Sequence, residues 1–207
     1  MTKLSELIKH NRSCRRFEQR RRVKRKTLEE LVDLARLSAS AANLQPLKYL
    51  LSTDPGQNSA IFGCLKWAGY LEAWDGPADG QRPAAYIVIL DDRNIGSSFV
   101  GCDEGIAGQS ILLGAREGGL AGCMLKAFNL PKLSRLLGLP KHLLPTMVIA
   151  IGYPAEAVVI EAMAEGDDIR YWRSREGTHH VPKRSLSQIL VDTDATVNLS
   201  ARPETKE

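Results

Sequence analysis

The eighteen residues from Cys102 to Gly119, CDEGIAGQSILLGAREGG, constrain the fold most, because nothing between Gly105 and Ala115 is charged. The stretch reads as a buried helix. Asp103 and Glu104 stand where a helix N-terminus favours acids, Arg116 stands near the end that favours a base, and Gly118-Gly119 supplies a left-handed stop. Its apolar residues are Ile106, Ile111, Leu112 and Leu113, and most of the remainder is small. A helix apolar or small all round must be covered all round, by its own domain or partly by a second subunit. It is far too short to span a bilayer.

The chain has 207 residues, of which 43% are hydrophobic, enough for one domain with a sizeable core. A single domain over residues 1–200 is expected, with ARPETKE at 201–207 as a disordered tail. The opening MTKLSELIKHNRS is amphipathic and charged and does not resemble a signal peptide, so a cytoplasmic protein is expected. Cys14, Cys64, Cys102 and Cys123 are scattered without a CxxC pair, which argues against a disulfide frame or structural metal and for buried small hydrophobes. The adjacent His179 and His180 do not readily converge on one ion and are read as structural, so no metal is expected.

The net charge of +4 conceals a local excess: ten Lys or Arg and one acid, Glu18, lie between Lys9 and Lys26. Three readings are open: a solvated face, a nucleic-acid or localisation patch, or a holder for an anionic cofactor. The aromatic interleaving that single-strand binders use is missing, which argues against nucleic acid.

Taken in order, residues 2–10 read as a helix with Thr2 as cap, and Thr27 opens a second with a T-x-x-E capping box to Glu30. LKYLLST reads as a strand, residues 57–70 as a helix, and AAYIVIL as a strand buried on both faces. After the central helix come a strand over Leu120–Lys126, a short helix with Pro131 at its first position, and a last core strand from Thr146 to Gly152. Beyond Pro154 the chain turns polar, with a short amphipathic turn from Leu186 to Leu190. This alternation points to an α/β or α+β sandwich and leaves function open. No Ser-His-Asp or Cys-His set is evident, and no GxGxxG follows a strand, so a resident dinucleotide is not supported.

Four stretches carry the chemistry: NRSCRRF from Asn11 to Phe17, SASAANLQP from Ser38 to Pro46, GLAGCMLKAF from Gly119 to Phe128, and VPKR from Val181 to Arg184. With the core helix DEGIAGQSILLGA and the closing IGYP at 151–154, and in this order, they resemble the FMN-dependent nitroreductase family over nearly the whole chain. The resemblance implies an α+β three-layer sandwich with a central mixed or antiparallel sheet flanked by helices. It implies a homodimer with FMN at the subunit interface, NAD(P)H as a transient reductant, and an electron-poor small molecule such as a nitroaromatic or quinone as acceptor. Neither a nucleic acid nor a membrane is an expected partner.

By that resemblance Arg12 and Ser13, with Lys183 and Arg184, grip the FMN phosphate, for which guanidinium forks are suited. Arg15 faces the pyrimidine edge, where positive charge favours the reduced flavin. Ser40, Asn43 and Gln45 meet ribityl hydroxyls or ring heteroatoms, and the main chain of Lys126 and Ala127 lies near O4 and N5. No catalytic side chain is implied, since the flavin carries the chemistry. The sequence departs from the pattern at Ala39 and Ala41, where Pro and Ser are common, at Leu47 for Trp, at Asn11 for Arg, and at Lys126 for an acid. Trp67, Tyr70 and Trp74 are either a substrate lid or core aromatics. Dehydrogenase or deiodinase chemistry on the same fold, or flavin binding without turnover, are the alternatives.

Overall fold

The computed structural model describes residues 3–71 and 73–191. Its centre is a four-stranded sheet of order β1-β2-β4-β3, antiparallel throughout, made of β1 (Leu47–Ser52), β2 (Ala85–Asp92), β3 (Ala121–Leu125) and β4 (Leu143–Gly152). Strand β2 pairs on both sides and is apolar on both faces. Ala85, Ile87 and Ile89 enter one core cluster, Tyr86, Val88 and Leu90 the other.

Helices α2 (Arg25–Arg36) and α4 (Val100–Glu117) cover the first face through Leu28, Leu31, Ile111 and Leu112. Helices α3 (Pro55–Phe62) and α5 (Leu130–Leu136) cover the second through Ile61 and Leu133, joined by Trp67 and Cys64. The result is the expected three-layer α+β sandwich, with α1 (Leu4–His10) lying against α4. Small residues let α4 approach its neighbours: a Cβ on Gly114 would stand 2.3 Å from Leu34 Cδ1, and one on Gly108 would stand 2.8 Å from Met124 Sδ.

Several boundaries differ from the sequence reading. Helix α2 begins at Arg25 with Lys24 at its N-cap and no side-chain cap, so the capping box from Thr27 to Glu30 does not form. The pairs Arg25–Glu29 and Lys26–Glu30 brace that turn instead. Thr2 lies outside the described residues. Helix α3 runs from Pro55 to Phe62, not 57–70, because Asp54 caps its start and residues 64–66 leave it to bridge 127–129. Lys66 N–H donates to Ala127 O at 2.8 Å and Asn129 N–H to Cys64 O at 2.8 Å, which replaces the helical ladder. Strand β4 starts three residues early, and Pro145 is accommodated where the register with β2 shifts between Ile89 and Leu90. Pro131 is the second residue of α5, after the Asn129 cap.

The polar region beyond Pro154 is not simply irregular. It forms a second sheet of order β5-β7-β6, from Val158–Ala162, His179–Lys183 and Trp172–Arg173, with β5 and β7 parallel. Its strands are half exposed and lack clean alternation, so their pattern carried no strand signal. Residues 201–207 lie outside the described residues. Cys102 is exposed, contrary to the expectation that all four thiols are buried. Nor is α4 covered all round within one chain: Cys102, Gly105 and Gln109 face outward. Among the described residues no helix is long and apolar enough to cross a membrane.

Candidate functional site

The start of α4 holds two adjacent acids, Asp103 and Glu104, each 3% exposed, and each ties down one of the stretches singled out above. Asp103 accepts the Ser40 hydroxyl at 2.6 Å and the Ala41 N–H at 3.0 Å. Ser40 Oγ in turn accepts the Gln45 N–H at 3.0 Å, so one carboxylate organises the whole 40–45 loop. Within it Ala42, Asn43 and Gln45 adopt left-handed backbone at φ of 48°, 53° and 51°, and none is glycine. Such residues cost on the order of 1–3 kcal/mol each and persist where the surroundings over-determine them. Gln45 Nε2 donates to the Asn43 side chain and carbonyl, which braces the exposed tip.

Beside this loop lies a cavity of about 220 Å³ bordered by Ser38, Ser40, Gln45, Tyr49, Asp103 and Ala107. On the other side Glu104 Oε1 takes the ammonium of Lys126. Lys126 and Ala127 follow the last β3–β4 pair, Leu125 with Val148, so their N–H groups lie beyond the ladder. Asp103 and Glu104 thus do more than favour a helix dipole: they bring Ser40, Asn43, Gln45, Lys126 and Ala127 around one helix terminus.

The N-terminal stretch runs beside β3. Ser13 bridges Gly122, and Cys14 N–H donates to Gly122 O at 3.0 Å. Arg12 donates through Nε to Asn11 O at 2.6 Å and through Nη2 to Ile8 O at 3.1 Å, closing the end of α1. Arg15 behaves differently and is buried. Its Nη1 lies 3.1 Å from His179 Nε2, and its guanidinium carbon lies 4.8 Å from the centre of the Tyr171 ring. Arginine only donates, so Nε2 accepts and His179 is neutral with its proton on Nδ1. Burial, then the charges of Arg15 and Arg173, hold its pKa down at about 4.

The backbone here is held by a residue the sequence reading missed. Glu156 accepts the N–H groups of Arg15 and Arg16 at Oε1, the latter at 3.1 Å, and Arg173 Nη2 at Oε2 at 2.9 Å. The one sequence signal was that Glu156 is the first acid after the last apolar core strand. Lys183 and Arg184 are exposed at the end of β7, where Lys183 O accepts Met163 N–H at 3.2 Å. Lys183 stands four positions from His179 along β7, about 13 Å. No hydrogen bond among the described residues joins Lys183 or Arg184 to Arg12 or Ser13.

The remaining chemistry-bearing groups are engaged in packing and pairing contacts. Trp67 is buried against Phe62 with ring centres 5.7 Å apart, Tyr70 packs on Tyr171 at 4.9 Å, and Arg173 lies 4.6 Å over Trp74. Tyr70 and Trp74 therefore dock the 171–173 segment onto the core, to which Trp67 itself belongs. Burial pushes the Cys14 thiol up to about 12 and raises that of Cys123, so neither is an activated nucleophile. His180 lies 2.6 Å from Glu161 and stacks on Trp172, and no metal-binding cluster occurs among the described residues.

Comparison with known proteins agrees with this architecture. A protein from Parabacteroides distasonis described as a putative NADH dehydrogenase/NAD(P)H nitroreductase superposes with a TM-score of 0.62 at 22% identity, over 82% of this chain and 95% of that one. An FMN-dependent nitroreductase from Clostridium difficile R20291 superposes with a TM-score of 0.61 at 21% identity, over 73% and 88%. In sequence, a putative NADH dehydrogenase/NAD(P)H nitroreductase of Methanothermobacter thermautotrophicus is 29% identical over 157 residues, 73% of this chain and 77% of the relative. The oxygen-insensitive NADPH nitroreductase of Salmonella typhimurium is 29% identical over 166 residues, 75% and 68%. The profile of the nitroreductase family matches residues 8–153, which include the core sheet and the α4 terminus, and the chain belongs to that family.

Proposed function

We propose that this chain is an FMN-dependent oxidoreductase, active as a homodimer, that takes hydride from NAD(P)H and delivers it to an electron-poor small molecule such as a nitroaromatic or quinone. The observation that carries the reading is the convergence of the 40–45 loop and the 126–127 strand end on Asp103 and Glu104. The donor set suits FMN: N–H groups beyond the β3 ladder for the ring, the side-chain amides of Asn43 and Gln45 for the ribityl chain, and a guanidinium and hydroxyl at Arg12 and Ser13 for the phosphate. FMN supplies the hydride exchange, so the chain needs to bind and orient both substrates and to tune charge.

Arg12 and Ser13 would hold the phosphate, with Lys183 and Arg184 completing the grip across a dimer interface, since within one chain they stand apart. Arg15, fixed by His179 and by Glu156 through its backbone, would contribute positive charge near the pyrimidine edge. Ser40 is engaged with Asp103, so its part is to shape the loop that presents Asn43 and Gln45. The 220 Å³ cavity is small for a whole flavin, which supports completion of the site by a second copy against the open face of α4.

Heat release and chromatography of the bound flavin, followed by anaerobic addition of NADH and NADPH, test the reading. FMN that bleaches with either nicotinamide supports it. FAD alone, or no uptake of added FMN, overturns it. Sedimentation with and without FMN tests the dimer, and Gly105→Glu, at a helix position with open space around it, should lower both association and FMN occupancy.

A further inference from the structure

The basic segment is only partly accounted for by a flavin, because Arg20 and Arg22 turn elsewhere. Between them the Arg21 guanidinium lies 3.4 Å from the centre of the Tyr153 ring and pairs with Glu18. Arg20 and Arg22 instead border a cavity of about 350 Å³ at the end of the sheet where β1 leaves and β2 enters. The loop described above sits where β1 begins, and from Tyr49, which borders its cavity, to Thr53, which borders this one, is about 13 Å of strand. None of the residues assigned to FMN borders this one.

The cavity has a fixed floor. Gln19 Oε1 accepts the N–H groups of Gly80 at 2.8 Å and Arg82 at 3.0 Å, and its Nε2 donates to Asp79 at 3.2 Å, clamping the 79–82 loop to the basic segment. Arg82 lies 4.4 Å over the Phe62 ring, and its buried Nε has no hydrogen-bond partner. Tyr86, 0% exposed, lines the same cavity, and its hydroxyl is likewise buried without a partner. Burial pushes the phenol up, against a smaller opposing pull from Arg82, so it remains an O–H donor at neutral pH. Three guanidiniums face one carboxylate, Asp79, and Arg20, Arg22 and Arg82 make no ion pair among the described residues. Phe62, Pro55 and Pro83 supply apolar wall.

Buried donors without acceptors, an excess of guanidinium and an aromatic wall are what an anion on an apolar body would satisfy. We infer that this cavity is a second binding site, separate from the flavin, for a small organic anion: a phosphate or carboxylate carried on an aromatic or apolar group. The acid group meets Arg82 and the Tyr86 hydroxyl inside, Arg20 and Arg22 close on it from the mouth, and the body lies along Phe62.

Calorimetric titration of the purified chain with phenyl phosphate, benzoate and inorganic phosphate, each with and without saturating FMN, tests this. One equivalent of phenyl phosphate or benzoate should bind, at least tenfold tighter than inorganic phosphate and equally in both FMN conditions. A tighter phenyl phosphate identifies a phosphate ester as the class, a tighter benzoate a carboxylate. Arg82→Gln should weaken binding tenfold or more, and Tyr86→Phe, which keeps the core ring, threefold or more. Arg22→Gln, at an exposed position that does not threaten folding, should weaken it measurably. Saturation by none of the probes means a water-filled cavity and overturns the inference. So does binding lost on adding FMN, or binding unchanged in both Tyr86→Phe and Arg22→Gln.

Discussion

Two sets of buried carboxylates organise this molecule, and their surroundings differ. Glu156 is closed in: its partner Arg173 has a side chain only 11% exposed, and its other oxygen takes two main-chain N–H groups. Asp103 and Glu104 are as deeply buried, but their partners face outward. The Lys126 side chain is 61% exposed, and Ser40 belongs to a loop whose tip is in solvent. The closed arrangement fixes one backbone geometry, and of the groups it holds only Arg15 is assigned to the ligand. The open one fixes a loop and a strand end while leaving N–H and amide groups facing space, as a binding site requires.

The largest expected effect lies at the closed site. Glu156→Ala leaves Arg173 buried without its counter-charge and two N–H groups without an acceptor, so it should cost about 3–5 kcal/mol. Urea unfolding of the variant measures this, and a loss below about 1 kcal/mol would make Glu156 equivalent to a surface acid.

A somewhat smaller effect follows from His179, 1% exposed, whose pKa is about 4 in the folded chain against an ordinary 6.5. Between those values the unfolded chain binds the additional proton, so acid favours unfolding. The stabilisation is fully present above pH 6.5 and is lost as pH falls through about 4. A displacement of that size is worth on the order of 3 kcal/mol. His179→Gln keeps an acceptor for Arg15 without titrating, and should flatten the dependence of stability on pH across this window. Parallel slopes for variant and wild type would remove His179 from the closed network.

Asp103→Ala probes the open site. Ser40 loses its acceptor and the three left-handed residues lose what holds them, for about 1–3 kcal/mol of stability. FMN occupancy should fall at the same time, although Asp103 itself need not touch the flavin. Glu156→Ala measured under conditions where it remains folded sharpens the contrast, since its effect should appear in stability before it appears in FMN binding.

The sequence showed the open region far better than the closed one, for physical reasons. β2 and α4 are long apolar runs whose burial leaves little choice, and the SASAANLQP loop announces itself through polar residues and proline. Glu156 is one acid in a stretch without periodicity, and its partners lie 17 and about 140 positions away. Pairing at that separation leaves no local pattern. The end of α3 was missed for a related reason: the helix period continues past Phe62, but bridging to residues 127–129 overrides it. Arg15 was legible as a basic residue, while its burial against His179 depends on a small sheet that was not legible at all.

The smallest expected effect is the most exacting test of the contrast. Lys126 and Glu104 form an ion pair as Arg173 and Glu156 do, and a count of salt bridges would rank them alike. Their lysine and arginine differ in solvent exposure, and solvent decides the cost of losing a partner. When an exposed ammonium is removed, water occupies the space it leaves and hydrates the carboxylate oxygen it had covered. Truncation of a shielded guanidinium leaves no such replacement. Lys126→Ala should therefore cost about 1 kcal/mol or less and weaken further as salt is added to the wild type. Arg173→Ala should cost about 3 kcal/mol or more and respond little to salt. Equal losses in the two variants would mean that water does not reach Glu104 once the lysine is gone, and that the terminus of α4 is a structural lock instead of the open floor of a flavin site.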